Sequence, residues 1–309
     1  MVDALRDLTE AVEAVRLRHG PLPAVESLGM REIADETSYA ERSGLDAPFA
    51  LAHTLGGMTL AAVNDYVSTF AEAFTTEHVP VYGHLVLARA ALEASTVSWW
   101  LSEPGIARDD RIKRALSEFI YAAVEEWKLK LLANGRENVK DWIAHATNLG
   151  WDVTDQVGNP WVRDSRGNPR VDGVSRPAPA AAIRDLLVDD LTSKIGKLQW
   201  SRLSAVTHVT FFGTRGALSL GEAVPGPAGG LVTVPLGTDA IAVYLQTICI
   251  MKALRQAAAA RFDLMGWTDE GWNAAVGEAA RHEKGMLDAI RTARPEAISE
   301  LESERTESS

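Results

Sequence analysis

Apolar residues recur at intervals of three and four positions along most of this chain, which is the spacing of one face of an α-helix. Clusters of glycine, proline and small polar residues separate the segments that have this pattern. The pattern predicts helices over residues 2–19, 48–77, 80–102, 107–133, 136–148, 178–191, 193–212, 238–265 and 268–292. Runs of strand-favouring residues are short and few. The chain is therefore predicted to be all-α, a multi-helix bundle with long helices.

Two segments do not follow the helical pattern. Residues 150–176 and 214–236 are rich in glycine, proline and polar turn formers, which predicts irregular loop or hairpin insertions. We expect an N-terminal helix and an irregular segment over residues 1–46, followed by a helical bundle domain over residues 47–295. Residues 296–309 are almost entirely polar and are predicted to form a disordered tail.

The composition is typical of a cytoplasmic globular protein. With 309 residues, 46% of them hydrophobic, the chain can bury one large core or two modest ones. Its single cysteine, Cys249, excludes an intrachain disulfide, as expected in a reducing cytosol. No apolar segment is long enough to span a membrane. The net charge of −11 argues against a broad nucleic-acid-binding surface, but it leaves room for a small basic active site.

One predicted helix carries a pair of opposite charges on its apolar side. In YGHLVLARAALEASTVSWW, residues 82–100, Arg89 and Glu93 are four positions apart and share a face. A buried charge must be paired or functional, and removing one partner of a buried pair costs about 3–5 kcal/mol. We expect this pair to be a support that reaches the helix of Ser204 and His208 and fixes its orientation.

The strongest candidate for chemistry is the helix WSRLSAVTHVTFF, residues 200–212. It carries Arg202, Ser204 and His208, and the last two share a helical face. The histidine can act as a general acid or base, the guanidinium can stabilise a developing negative charge, and the serine can orient the imidazole ring. These are the groups that metal-independent RNA cleavage requires. The alternative is structural: Ser204 bonds His208 inside the bundle, and Arg202 faces solvent.

The segments LARAALEASTVSWWL, DDRIKRAL and RLSAVTHVTFFG resemble an actinobacterial family of helical proteins, over roughly residues 48–265. The pattern is also similar to the wider HEPN-like class of helical bundles, in which an Arg-x(4–6)-His motif marks ribonucleases of toxin and defence systems. That resemblance implies a homodimer, RNA as substrate, Arg202 and His208 as the catalytic pair, and Glu93 as a polar residue on an earlier helix. Leu203 departs from the pattern, because active members carry a polar residue there. Many members of the class are instead inactive binding modules or dimer scaffolds.

A second motif belongs to a different chemical class. Asn64, Ser68 and Glu72 are spaced to lie on one helical face and offer three oxygen ligands. The sequence NDYVSTFAE is similar to the Asn-Asp-x-x-Ser-x-x-x-Glu motif of class I terpene cyclases, which implies a Mg²⁺-dependent diphosphate enzyme. Here the motif comes early in the chain, without the accompanying aspartate-rich motif. Its alternative is a polar face toward solvent or another subunit.

The remaining polar residues indicate no further site. Lone histidines on helical patterns, such as His53, are interpreted as core or surface residues, and no cofactor is expected apart from the alternative Mg²⁺. Three functions stay open: a HEPN-like ribonuclease, a non-catalytic helical binding or scaffold protein, and a Mg²⁺-dependent enzyme. A small-molecule ligand is compatible with each.

Overall fold

A computed structural model describes residues 1–75, 82–131, 134–155, 157–161, 168–187, 190–207, 218–220, 224–225, 232–233, 236–238 and 240–295. In this part of the chain the fold is all-α, as predicted. Its helices are α1 (Val2–His19), α2 (Leu28–Ala34), α3 (Glu36–Ser43), α4 (Pro48–Glu72), α5 (Gly83–Ser102), α6 (Arg108–Leu129), α7 (Gly135–Asn148), α8 (Pro179–Leu187), α9 (Asp190–Thr207), α10 (Ala240–Met265) and α11 (Glu270–Ala293).

Helix α10 lies at the centre of the bundle. Its residues are buried on all sides, and it packs against α1, α2, α4, α5, α8, α9 and α11. A helix with an apolar surface all round can only be stable in such a position. The largest core forms around it, with further apolar side chains from α1, α4 and α5.

Local signals in the sequence define several helix ends. Pro48 occupies the first turn of α4, where its missing N–H is not needed. Ser27 caps α2 by accepting a hydrogen bond from the Met30 N–H at 3.0 Å. Asp269 caps α11 by accepting one from the Trp272 N–H at 3.1 Å. The short helices α2 and α3 lie in the segment that the pattern predicted as irregular, and α2 packs against both α4 and α10.

The first insertion packs against α6. Its strands β1 (Val153–Thr154) and β2 (Arg170–Val171) pair antiparallel. The Ser117 hydroxyl of α6 accepts a hydrogen bond from the Arg176 N–H at 3.2 Å, and the Arg176 guanidinium pairs with Glu118 at 2.9 Å. Together with α7, these elements surround a second, smaller core.

The second insertion contains two antiparallel strand pairs. Strand β3 (Leu218–Leu220) pairs with β6 (Leu236–Thr238), and β4 (Val224–Pro225) pairs with β5 (Val232–Thr233) between them in the chain. The described strands therefore form a nested hairpin, one of the two forms expected from the sequence. The predicted polar tail, residues 296–309, lies outside the described residues. Within the described chain, no helix has the length and apolarity needed to cross a membrane.

Candidate functional site

The residues predicted to cleave RNA lie at the end of α9. Arg202 is exposed and Ser204 is half-buried on this helix, whereas His208 lies outside the described residues. The structure therefore gives no distance between the predicted catalytic groups. Their role in RNA cleavage stays a prediction.

The predicted supporting pair connects two helices. On α5, Arg89 Nε donates a hydrogen bond to Glu93 Oε1 at 2.9 Å. The same Glu93 oxygen accepts a hydrogen bond from Trp200 Nε1 of α9, also at 2.9 Å. The expected contact between this pair and the helix of Ser204 is present. The Arg89 and Glu93 side chains are 19% and 30% exposed, so their pairing contributes less than that of a fully buried pair.

The alternative Mg²⁺ ligands lie on the outer part of α4. Asn64 and Ser68 are half-buried, and Glu72 is exposed. The described residues contain no group of three or more His, Cys, Asp or Glu side chains arranged to hold a metal ion. An opposing carboxylate cluster, which the terpene-cyclase resemblance implies, is thus not found in the part of the chain that the structure describes. The Mg²⁺ site stays a prediction.

Four charged or titratable side chains meet inside the bundle, where sequence reasoning placed no site. Glu32, His53, Arg111 and Arg261 come from α2, α4, α6 and α10, and none of them is more than 4% exposed. Charged residues are almost never this deeply buried unless they are paired or used. What this site can bind therefore depends on which of the four side chains are paired with one another.

Arg111 and Glu32 form the paired half of this cluster. Arg111 Nε lies 3.2 Å from both carboxylate oxygens of Glu32. Arg111 Nη1 also donates a hydrogen bond to the Leu101 carbonyl at 2.9 Å. Burial lowers the pKa of Arg111, and the adjacent Glu32 carboxylate opposes that shift. This pair connects α2 to α6 through the core and balances one negative charge with one positive charge.

Arg261 is the charged side chain of the cluster that has no pairing partner among the described residues. Among the described residues, its guanidinium forms neither a hydrogen bond nor an ion pair, and its Nε is buried without a partner. Burial, with the nearby positive charges of Arg111 and Arg16, lowers the pKa of Arg261 well below the ordinary arginine value, to about 9. Glu32 acts on this guanidinium only through longer-range attraction, which opposes the shift. Within the described part of the chain, Arg261 is therefore a buried cation at neutral pH with no counter-ion in contact.

His53 lies beside this excess charge as a neutral ring. Burial lowers the pKa of His53 below its usual 6.5, although the Glu32 carboxylate opposes this effect. Its Nε2 lies 3.2 Å from Glu32 Oε2 but is poorly aligned, and neither ring nitrogen has a hydrogen-bond partner in the described structure. The buried hydroxyl of Ser102 also lacks a partner there. Buried polar groups are normally satisfied by protein, ordered water or a ligand.

A pocket of about 400 Å³ adjoins the unpaired half of the cluster. Helices α1, α4 and α10 line it, and both His53 and Arg261 contribute to its wall. Trp267 forms another side, with its ring centre 5.8 Å from the Arg261 guanidinium carbon. At the edge, Arg16 is already paired with Glu13 at 2.6 Å. The pocket thus combines an apolar wall with a buried guanidinium that no described side chain neutralises by contact, which is the arrangement of a small-molecule site.

Two glycines of α4 allow this close arrangement. A β-carbon at Gly56 would lie 3.0 Å from the Ser102 hydroxyl oxygen and 3.4 Å from Arg261 Nη1. A β-carbon at Gly57, which lines the pocket, would lie 3.6 Å from Arg261 Nη2. A side chain at either position would occupy space beside the guanidinium. The glycines therefore leave open the side of Arg261 on which an anion can bind.

The sequence contained one signal for this site. Arg261 follows four consecutive alanines within the apolar helix 238–265, a position where a charge is unusual. Glu32 lies in a turn-rich segment and Arg111 in a helix with many charges, so neither was conspicuous. Only the fold brings their helices together.

Helical bundles carry many unrelated functions, so the architecture alone does not assign one. The described part of the resemblance, on α5 and α9, contains the Glu93–Trp200 hydrogen bond but not His208. Similarity to known proteins adds nothing further, because no family model matches the chain and no curated protein or solved structure matches it at a significant level.

Proposed function

We propose that this chain is a helical binding protein that holds a small anionic ligand in the pocket beside Arg261. The observation that carries the proposal is the guanidinium of Arg261, which has no ion-pair or hydrogen-bond partner among the described residues, is 4% exposed and lies in the wall of the pocket. Burying a cation without a counter-ion is unfavourable, and a bound anion removes that penalty. The pocket, rather than the exposed Arg202, is therefore the best-supported site.

The neighbouring groups favour an anion over a cation or a neutral molecule. Arg261 offers several N–H donors, and a carboxylate or phosphate can accept two of them in parallel. The neutral ring of His53, which lines the pocket, can donate a further hydrogen bond, and neither of its ring nitrogens has a partner in the described residues. Glu32 is already engaged by Arg111 and does not compete for Arg261 at contact distance.

Thermal unfolding with simple anions tests this proposal. Acetate and inorganic phosphate are titrated against sodium chloride at equal ionic strength, and the midpoint of unfolding is recorded. A ligand that binds only the folded state stabilises it by about 2.7 kcal/mol when its concentration is 100 times Kd. We expect at least one of the two anions to raise the midpoint of the wild-type protein above the chloride control.

The variant Arg261→Met should remove this response, since methionine retains the apolar stem without the charge. Arg184→Met is the matched control, because that arginine is exposed on α8 and pairs only with the adjacent Asp185 among the described residues. If neither anion stabilises the wild type, or if Arg261→Met responds as the wild type does, the proposed function is wrong.

A further inference from the structure

Part of the mouth of the pocket beside Arg261 is apolar. Leu17 of α1 and Met58 of α4 line it, and they are 76% and 66% exposed. Exposed apolar side chains at the rim of a concave site offer a surface against which the apolar part of a ligand can pack. Trp267, 8% exposed, continues the apolar wall inward to the guanidinium. A ligand that reaches Arg261 therefore passes between apolar surfaces over most of its length.

The charge of the cluster limits the charge of the ligand. Arg111 and Arg261 contribute two positive charges, Glu32 contributes one negative charge, and His53 is neutral because burial lowers its pKa. At the edge of the pocket, Arg16 and Glu13 cancel one another. The excess is one positive charge, which one negative charge neutralises. A second negative charge in the same place would again be buried without a partner.

The space beside Gly57 has room for a carboxylate. A β-carbon there would be in ordinary van der Waals contact with Arg261 Nη2, at 3.6 Å. A carboxylate oxygen bonded to the guanidinium lies closer than that, at about 2.7–2.9 Å. The open position of Gly57 is thus where one oxygen of a guanidinium-bound carboxylate fits.

We propose that the ligand is an amphipathic monocarboxylate, with its carboxylate on Arg261 beside Gly57 and its apolar body against Leu17, Met58 and Trp267. This inference rests on the proposed function and names the ligand class for the same site. The volume of about 400 Å³ accommodates an apolar body of several carbons beyond the carboxylate.

Isothermal titration calorimetry with a homologous series tests the ligand class. The probes are acetate, butanoate, hexanoate and octanoate, each below its micelle concentration, with hexanol and hexyl phosphate for comparison. We expect affinity to rise about fourfold for each added methylene while the body stays within the pocket. Hexanol should not bind detectably, and hexyl phosphate, a dianion above neutral pH, should bind more weakly than hexanoate.

Two variants separate the carboxylate end from the apolar end. Gly57→Ala should weaken hexanoate binding at least tenfold, because the added methyl fills the space of the carboxylate oxygen. Gly277→Ala is the matched control, since that glycine is in α11 with open space around it. Met58→Gln should reduce the gain in affinity per methylene from butanoate to octanoate.

The outcomes distinguish this inference from the proposed function. If anions bind through Arg261 but chain length has no effect, the amphipathic ligand is wrong and anion binding stands. If hexyl phosphate binds more tightly than hexanoate through Arg261, the monocarboxylate is wrong. If Gly57→Ala binds hexanoate as tightly as Gly277→Ala does, the assigned position of the carboxylate is wrong. If no probe binds, the proposed function also fails.

Discussion

Replacing Arg261 by methionine should stabilise the ligand-free protein, whereas replacing Glu32 by glutamine should destabilise it. Each change removes a charge from an almost fully buried side chain, but the two changes shift the net charge of the cluster in opposite directions. Arg261→Met takes the cluster from one excess positive charge to none. Glu32→Gln takes it to two, and it deprives Arg111 of the carboxylate that lies 3.2 Å from its Nε.

The magnitudes follow from burial and pairing. The fall in the pKa of Arg261 from the ordinary arginine value to about 9 corresponds to a penalty of about 5 kcal/mol for holding the charge in the folded state. Methionine avoids this penalty but leaves some space unfilled, so we expect a gain of about 1–4 kcal/mol in the free energy of unfolding. Glu32→Gln breaks a buried pair and should cost about 3–5 kcal/mol.

Urea unfolding followed by far-ultraviolet circular dichroism, in buffer without added carboxylate, measures both changes. The pH dependence supplies an internal check. Above the folded pKa of about 9, and below the higher, ordinary arginine pKa of the unfolded chain, the unfolded chain binds more protons at Arg261 than the folded protein does. Wild-type stability should therefore rise relative to that of Arg261→Met as pH increases above about 9. A loss of more than about 1 kcal/mol in Arg261→Met at pH 7 would refute the reasoning, since it would show that the guanidinium is satisfied in the folded state.

Three further predictions concern other groups. Burial lowers the pKa of His53 below 6.5, so the unfolded chain binds more protons at this residue in acid than the folded protein does. The free energy of unfolding of the wild type should therefore fall as pH decreases through 6.5. Urea unfolding of His53→Gln should show a shallower fall, and an equal fall would contradict the assignment. Trp200→Phe should lower the free energy of unfolding by about 1 kcal/mol, because it removes the hydrogen bond to Glu93. Arg89→Ala should lower it by about 0.5–1 kcal/mol, because the Arg89–Glu93 pair is partly exposed. Losses of about 3–5 kcal/mol, as expected for a buried pair, would contradict both predictions. If the HEPN-like resemblance extends to activity, the purified protein should cleave RNA in the presence of a metal chelator, and His208→Ala should not. Electrophoresis of labelled RNA measures the cleavage. An absence of cleavage by the wild-type protein would refute the ribonuclease hypothesis.

The contact between Glu93 and Trp200 shows how far reasoning from one helix can extend. The spacing of Arg89 and Glu93 indicated a pair on one face, and a charge on an apolar face requires a partner on a neighbouring helix. That partner was expected on the helix of Ser204, and Trp200 of α9 supplies it. The degree of burial could not be inferred, because it depends on how closely the other helices cover the pair.

The site beside Arg261 shows where such reasoning stops. An arginine inside an apolar helix indicates a buried charge, but not whether a carboxylate neutralises it. Here Glu32, a carboxylate whose charge attracts Arg261, bonds instead to Arg111, whose guanidinium is also buried. His53, interpreted from the sequence as an isolated core or surface residue, lies within this group.

The sequence by itself determined the helices and the all-α class. The prediction of residues 2–19 matches α1 (Val2–His19), and that of residues 238–265 matches α10 (Ala240–Met265), because helical periodicity and end signals act between residues close in the chain. The tertiary structure decided which buried charges are paired and where the pocket lies. Those properties depend on the distances between side chains of four different helices. The hydrophobic pattern of one helix contains no information about which side chains of other helices lie beside it.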